Sequence, residues 1–78
     1  MYEVQMPKFG MSMETGEISA WYVKEGGKVQ EGQELCEIAS DKITNTLESF
    51  VNGTIDKIHV EEGVQVGIGT VIATIIED

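Results

Sequence analysis

A repeat written into the chain limits its folding choices more than any other feature. Residues 16–38 and 53–75 align without a gap at an offset of 37, with eight identities in twenty-three positions. The identical pairs are Gly16/Gly53, Ile18/Ile55, Val23/Val60, Glu25/Glu62, Gly26/Gly63, Val29/Val66, Gly32/Gly69 and Ile38/Ile75. Trp21 falls on Ile58 and Leu35 on Ile72, so the apolar phase is kept where identity is not. Two copies are too few for a solenoid, whose stacked units need about three members to bury a continuous core. Two copies related by a pseudo-two-fold axis can instead cover each other's apolar faces as a closed β-sandwich, each supplying half of the core.

Alternation and glycine punctuation predict strands at 2–6, 16–23, 34–39, 43–49, 54–60 and 71–76. Short bridging strands are expected at 28–30 and 65–67, which gives an all-β flattened barrel or sandwich of two four-stranded sheets. The apolar spacing 18, 21, 23 breaks strict alternation, and 55, 58, 60 breaks it identically, so a bulge is expected at the same point in both copies. Glu25-Gly26-Gly27 and Glu62-Gly63 read as tight turns, where glycine takes positive φ without a Cβ clash. No stretch reads as a helix. With 78 residues there is room for one domain, 1–78, and one modest core, but not for a deep catalytic cleft.

The charge balance narrows the partners. Five lysines, no arginine and fourteen acids give a net charge of −9, which argues against nucleic acid, where binding rests on clustered basic groups. An acidic surface keeps the domain soluble and steers it toward basic patches on proteins. The single cysteine, Cys36, forms no internal disulfide and fits a reducing compartment as a small, partly buried filler. Met1 runs straight into an alternating segment, and no apolar run approaches the length of a membrane span. The expectation is a cytoplasmic, bacterial, monomeric domain that engages neither membrane nor nucleic acid.

No nucleophile–base pair, phosphate loop or paired carboxylate stands out, so no catalytic residue is assigned and the domain reads as non-catalytic. One cysteine and one histidine make no metal site on their own, and His59 reads as a strand-surface residue. Trp21, aligned with Ile58, reads as core. The longest stretch without alternation runs from Lys8 to Thr15. Its residues Lys8, Phe9, Gly10, Met11 and Ser12 are candidates for a partner-specific loop, since methionine adapts to partner surfaces; core filling suits Met6 and Met13 at least as well.

Between the copies lies Ile38-Ala39-Ser40-Asp41-Lys42-Ile43-Thr44. A strand end, a Ser-Asp-Lys tip and a new β-branched strand make a hairpin signal, and Ser-Asp suits turn initiation. Lys42 is expected to project from that tip, far from both termini. An exposed hairpin lysine usually means solubility alone; its place between two matched glycine-rich repeats is what turns the reading toward a carrier.

Those residues carry a resemblance. Asp41-Lys42-Ile43, with Gly32 ten residues before the lysine and Gly53 eleven after it, resembles the lipoyl domain of 2-oxo acid dehydrogenase complexes. Met6-Pro7-Lys8, Gly10, Met13, Gly16-x-Ile18-x-x-Trp21 and Glu25-Gly26 match the same pattern, over roughly residues 2 to 76. The resemblance implies the lipoyl/biotinyl hybrid fold, with Lys42 as the attachment point of lipoic acid through an amide. It implies that Ser40, Asp41 and Ile43 form the attachment hairpin and contribute to recognition, and that Gly32 and Gly53 let the flanking chain turn. Ala39 stands where the family usually has Glu.

A swinging lipoyl arm is then expected to carry acyl groups from a thiamin-diphosphate-dependent dehydrogenase to an acyltransferase core, with reoxidation by dihydrolipoamide dehydrogenase. A lipoylating enzyme is the remaining implied partner. The Met-Pro-Lys-x-Gly-Met opening looks closer to pyruvate- or acetoin-type complexes, with the chain as the start of a dihydrolipoamide acyltransferase. Two alternatives stand beside this: a biotin carboxyl carrier, which normally has Met on both sides of the lysine, and an unmodified structural module of the same fold.

Overall fold

The computed structural model describes residues 1–40 and 43–78. Eight strands run through them: β1 (Tyr2–Gln5), β2 (Thr15–Trp21), β3 (Lys28–Val29), β4 (Glu34–Ala39), β5 (Thr44–Glu48), β6 (Gly53–Ile58), β7 (Gln65–Gly67) and β8 (Val71–Glu77). They form two antiparallel four-stranded sheets, in the orders β1-β8-β6-β3 and β5-β4-β2-β7. Exchanging β1 with β5, β2 with β6, β3 with β7 and β4 with β8 converts one order into the other. Each sheet therefore takes two strands from each copy, an interleaving that goes further than two half-cores laid face to face.

The expected irregularities are present and duplicated. Register shifts between Ile18 and Ala20 where β2 pairs with β4, and between Ile55 and Lys57 where β6 pairs with β8. A second pair of shifts skips Leu35 on β4 and Ile72 on β8. A bulge bends and twists its strand, which is how a short sheet curls around a small core. The core is symmetric in the same way: Ile18 with Ile55, Leu35 with Ile72, Cys36 with Ala73 and Ile38 with Ile75 are all buried. Trp21 is half-buried against this cluster and donates its indole N–H to the Val60 carbonyl at 2.8 Å.

Reciprocal hydrogen bonds join the copies where the chain crosses between sheets. Gly26 N–H donates to the Ile55 carbonyl and Gly63 N–H to the Ile18 carbonyl, both at 2.7 Å. The Glu62 carboxylate accepts from Trp21 N–H at 2.7 Å, and the Glu25 carboxylate accepts from Ile58 N–H at 2.8 Å. These acids do more than occupy matched turns: each satisfies a strand-end donor of the other copy that would otherwise lack a protein partner.

Two classes of matched glycine emerge. Gly26, Gly32, Gly63 and Gly69 have φ between 84° and 89°, the left-handed region that favours glycine. Gly53 differs from the expectation of a turn glycine: it lies inside β6, and a Cβ there would run into the Ile76 carbonyl. Its partner Gly16 is crowded by Met6 Sδ, 2.6 Å from where a Cβ would sit. At this pair, close approach of neighbouring chain and side chains demands glycine, whereas at Gly32 the backbone angle does.

The β4–β5 connection and the chain termini occupy equivalent places in the two sheets, since Ile38 pairs with Asn45 as Ile75 pairs with Tyr2. β2 starts beside Ala39 and leads away from it, to a β3 that pairs with Gly53 and Thr54, next to Glu77. The turn and the termini therefore sit toward opposite ends of a body 34 Å long.

In urea denaturation Gly53→Ala is expected to cost about 3 kcal/mol, at the upper end of overpacking, and Gly26→Ala about 1 kcal/mol for its left-handed φ. Glu25→Ala and Glu62→Ala should each cost about 1 kcal/mol, the net value of an exposed, charge-assisted hydrogen bond. The neighbouring Glu61→Ala should stay within about 0.5 kcal/mol, as ordinary surface substitutions do; equal losses at all three glutamates would exclude the capping role.

Candidate functional site

β4 and β5 close on each other through Ser40. Its N–H donates to the Ile43 carbonyl at 2.8 Å, and its hydroxyl reaches the same oxygen at 3.4 Å. Serine suits this place because its short side chain can bond the backbone locally and hold a turn. Asp41 and Lys42, the predicted attachment pair, fall between these two residues in sequence and lie outside the described residues. Ser40 is half-buried, and Ile43 is 44% exposed despite its apolar side chain.

Beside the turn lies a groove of about 550 Å³. Ala39, Ser40 and Ile43 line one side, and Gly10, Ser12 and Glu14 come from the segment joining β1 to β2. Glu17 and Gln65 complete it from β2 and β7. The structure thus brings Gly10 and Ser12 to the predicted hairpin. Lys8, Phe9 and Met11 surround a shallower hollow with Gly10, and Met11 is 96% exposed. Internal bonds shape the loop: Met13 N–H donates to the Gly10 carbonyl at 3.1 Å, and Phe9 N–H points at Met13 Sδ at 3.3 Å.

This loop is where the pseudo-symmetry fails. Met6 and Ser49 are equivalent: each donates to residue 70 or its counterpart 33 and accepts from Gly69 or its counterpart Gly32. Ten steps of chain separate Met6 from Gly16, but only four separate Ser49 from Gly53. The first copy therefore carries six additional residues, and they stand next to the hairpin. Ser49, buried where its counterpart is Met6, is satisfied locally: its hydroxyl donates to the Val51 carbonyl at 2.7 Å.

Gly32 and Gly53 are remote from the groove lining. Gly32 donates to the Ser49 carbonyl at 2.8 Å, and Gly53 sits beside Glu77. Glu17 and Gln65 were not singled out from sequence; they come from strands distant in the chain, and only the β2–β7 pairing places them side by side. Among the described residues no cluster of three or more His, Cys, Asp or Glu side chains could hold a metal. His59 is exposed just past β6, its Nε2 3.4 Å from the Thr74 hydroxyl. No helix among them is long and apolar enough to cross a membrane.

Cys36 is fully buried at the heart of the core, more deeply than its expected role as a partly buried filler. Burial pushes its thiol from the ordinary value of 9.0 up to about 12, because a thiolate is poorly solvated there. The folded thiol stays neutral while an unfolded one ionises above pH 9, so Cys36 lowers stability progressively as pH rises from 9 to about 12. Native Cys36 should accordingly resist alkylation by iodoacetamide at pH 8.5 (roughly the free-thiol range) and react once the chain is unfolded in urea. Rapid labelling of the native protein would contradict this burial.

Comparison with known proteins agrees with the geometry. The family described as biotin-requiring enzymes has a sequence model that matches residues 2–75. The acetyltransferase component 2 of the mitochondrial pyruvate dehydrogenase complex of Arabidopsis thaliana is 42% identical over 77 residues, covering 97% of this chain and 14% of that protein. The acetyltransferase component of the acetoin cleaving system of Bacillus subtilis is 42% identical over 73 residues, covering 94% of this chain and 18% of the relative. The chain thus spans less than a fifth of the length of these relatives. Among solved structures, the lipoyl domain of the 2-oxoglutarate dehydrogenase complex of Azotobacter vinelandii superposes with a TM-score of 0.80 at 25% identity, over 96% of this chain and 95% of that one.

Proposed function

The chain belongs to the biotin/lipoyl attachment family, as a lipoyl domain of the kind found in dihydrolipoamide acyltransferases, and on that premise we propose that Lys42 takes lipoic acid in an amide and works as a swinging arm. The observation that carries the reading is the closure of the chain at Ser40 and Ile43, on either side of Asp41-Lys42 and at the end of the sandwich away from both termini. A lysine held there is kept clear of whatever is joined to the ends. The flanking residues fit an attached acyl group, since Ile43 is exposed and Ser40 has its N–H committed to the turn.

The residues of this chain supply position, and bound lipoate would supply a reducible disulfide able to accept an acyl group. Ser40 and Ile43 hold the hairpin shut. Gly10, Ser12 and Glu14 give the neighbouring groove a wall that the other end of the molecule lacks, and the loop of Lys8, Phe9, Gly10, Met11 and Ser12 is the surface by which partners tell the two ends apart. The partners are a thiamin-diphosphate-dependent dehydrogenase, an acyltransferase core, dihydrolipoamide dehydrogenase and a lipoylating enzyme, in a pyruvate- or acetoin-type complex. The relatives named for those systems support this choice. Asp41 and Ile43 on either side of the lysine favour lipoate over biotin. A tethered carrier gains its speed from effective concentration, about millimolar for a short flexible link.

Mass spectrometry of the Lys42 peptide, on protein from its native host, tests the attachment. A lipoyl adduct that disappears in Lys42→Arg is expected; a biotinyl adduct, or bare Lys42 where other lipoyl proteins are modified, would overturn the reading. Met11→Ser with Ser12→Ala should leave lipoylation intact while slowing acylation by the dehydrogenase about fivefold, close to 1 kcal/mol. Unchanged acylation would remove the loop from partner recognition.

A further inference from the structure

The sequence contains one Asn-Gly step, Asn52-Gly53, at the entry to β6. Such a step is chemically labile, because a following glycine has no side chain to shield its nitrogen from the asparagine carboxamide. Here each part that would have to move is tied down. The carboxamide oxygen of Asn52 accepts from the Glu31 N–H at 2.8 Å. Its main-chain carbonyl accepts from the Asp78 N–H at 3.0 Å, which continues the β6–β8 ladder past Gly53 and Glu77. Gly53 itself is buried and paired on both sides, with Val29 of β3 and Glu77 of β8. Asn52 is exposed, so water reaches it.

We propose that Asn52 is a latent modification site, where opening of β3 from β6 lets the chain convert Asn52 irreversibly to aspartate or isoaspartate. The Gly53 nitrogen gives up its proton to water and attacks the side-chain carbonyl carbon of Asn52. A carbon–nitrogen bond closes a succinimide ring, the bond to the amide nitrogen breaks, and that nitrogen takes a proton and leaves as ammonia. Water then opens the ring at either carbonyl, and no oxidant or reductant is needed. The attack is intramolecular, so orientation decides whether it proceeds. It requires Asn52 to turn about its Cα–C bond, which swings its carbonyl off Asp78, and Gly53 to leave its place beside Val29. The weak point is β3, two residues long and at the edge of its sheet, the kind of element that opens locally before the core does. Lifting β3 also carries Glu31, just beyond it in the chain, and so frees both Gly53 and the carboxamide. Isoaspartate adds a backbone carbon immediately before Gly53, where the Ile76 carbonyl already occupies the place of a Cβ. Either product adds a carboxylate to a chain already at −9. A domain that has opened is thereby marked, and it closes less well afterwards. None of this involves Lys42, so the inference stands or falls independently of the carrier reading.

The test is peptide mass spectrometry at residue 52 of the 78-residue chain, incubated at mildly alkaline pH both native and in guanidinium chloride. Conversion of amide to acid, with isoaspartate among the products, is expected in denaturant and at least about tenfold slower in the native chain. Asn45 is the internal control: it precedes the β-branched Thr46 within β5 and should persist in both conditions. Val29→Ala, which loosens β3, should speed the native reaction at least about threefold more than Val4→Ala, a buried truncation on β1 at the far edge of the same sheet. Denaturation curves of the two variants correct this comparison for any difference in global stability. Equal native and denatured rates, or no conversion in denaturant, would overturn the proposal. So would conversion of Asn45 as fast as that of Asn52, or equal acceleration by the two truncations after the correction.

Discussion

Neither copy of the repeat can bury its apolar face alone, because each sheet is completed by two strands of the other copy. The hydrogen bonds that hold this interleaving are correspondingly reciprocal. The Gly26–Ile55 and Gly63–Ile18 bonds fix where each chain crosses from one sheet to the other, and the Glu25 and Glu62 carboxylates close the strand ends left open by the crossing. A domain of this size buries a modest fraction of its surface and is marginal on area alone. At Ile18/Ile55, Leu35/Ile72, Cys36/Ala73 and Ile38/Ile75 the core contains the same residue or one of similar character, so much of one packing solution serves twice.

Much of this was legible in the sequence, for a reason visible at particular residues. Alternation located all eight strands to within about two residues, as boundaries usually allow, and the broken spacing at 18, 21, 23 and 55, 58, 60 located the paired bulges. Periodicity reports which face of a strand is buried, and that information is local. The rest depends on which strands meet. Gly53 looks like any turn glycine until β8 is laid beside it and the Ile76 carbonyl occupies the place of its Cβ. Glu25 and Glu62 look like solvated turn residues until the strand ends of the opposite copy arrive within 2.8 Å. At the second pair of bulges successive side chains are both buried, Leu35 with Cys36 and Ile72 with Ala73; small residues such as Cys36 and Ala73 mark a buried face weakly, so the shift shows only once the strands are paired.

The candidate site divides along the same line. The hairpin was legible as a strand end, a Ser-Asp-Lys segment and a new strand, and the structure closes it at Ser40 and Ile43. The groove beside it was not, since Glu17 and Gln65 reach it only through the β2–β7 pairing. The loop from Lys8 to Ser12 was noticed for its lack of alternation. Its significance becomes physical once the copies are superposed: it is the one place where the first copy has six residues that the second lacks.

Symmetry and function pull against each other in such a molecule. A pseudo-two-fold sandwich presents two similar ends, and the carrier role proposed above would need them to differ. The Ser40–Ile43 closure and the chain ends lie at opposite ends of the body, and the six additional residues of the first copy sit beside the closure. The insertion adds Met13 to the core and leaves the paired strands in register, so Gly10, Ser12 and Glu14 line the groove on a segment outside the strands. The partner recognition proposed for this loop would follow the general logic of carrying function on loops held by a rigid framework.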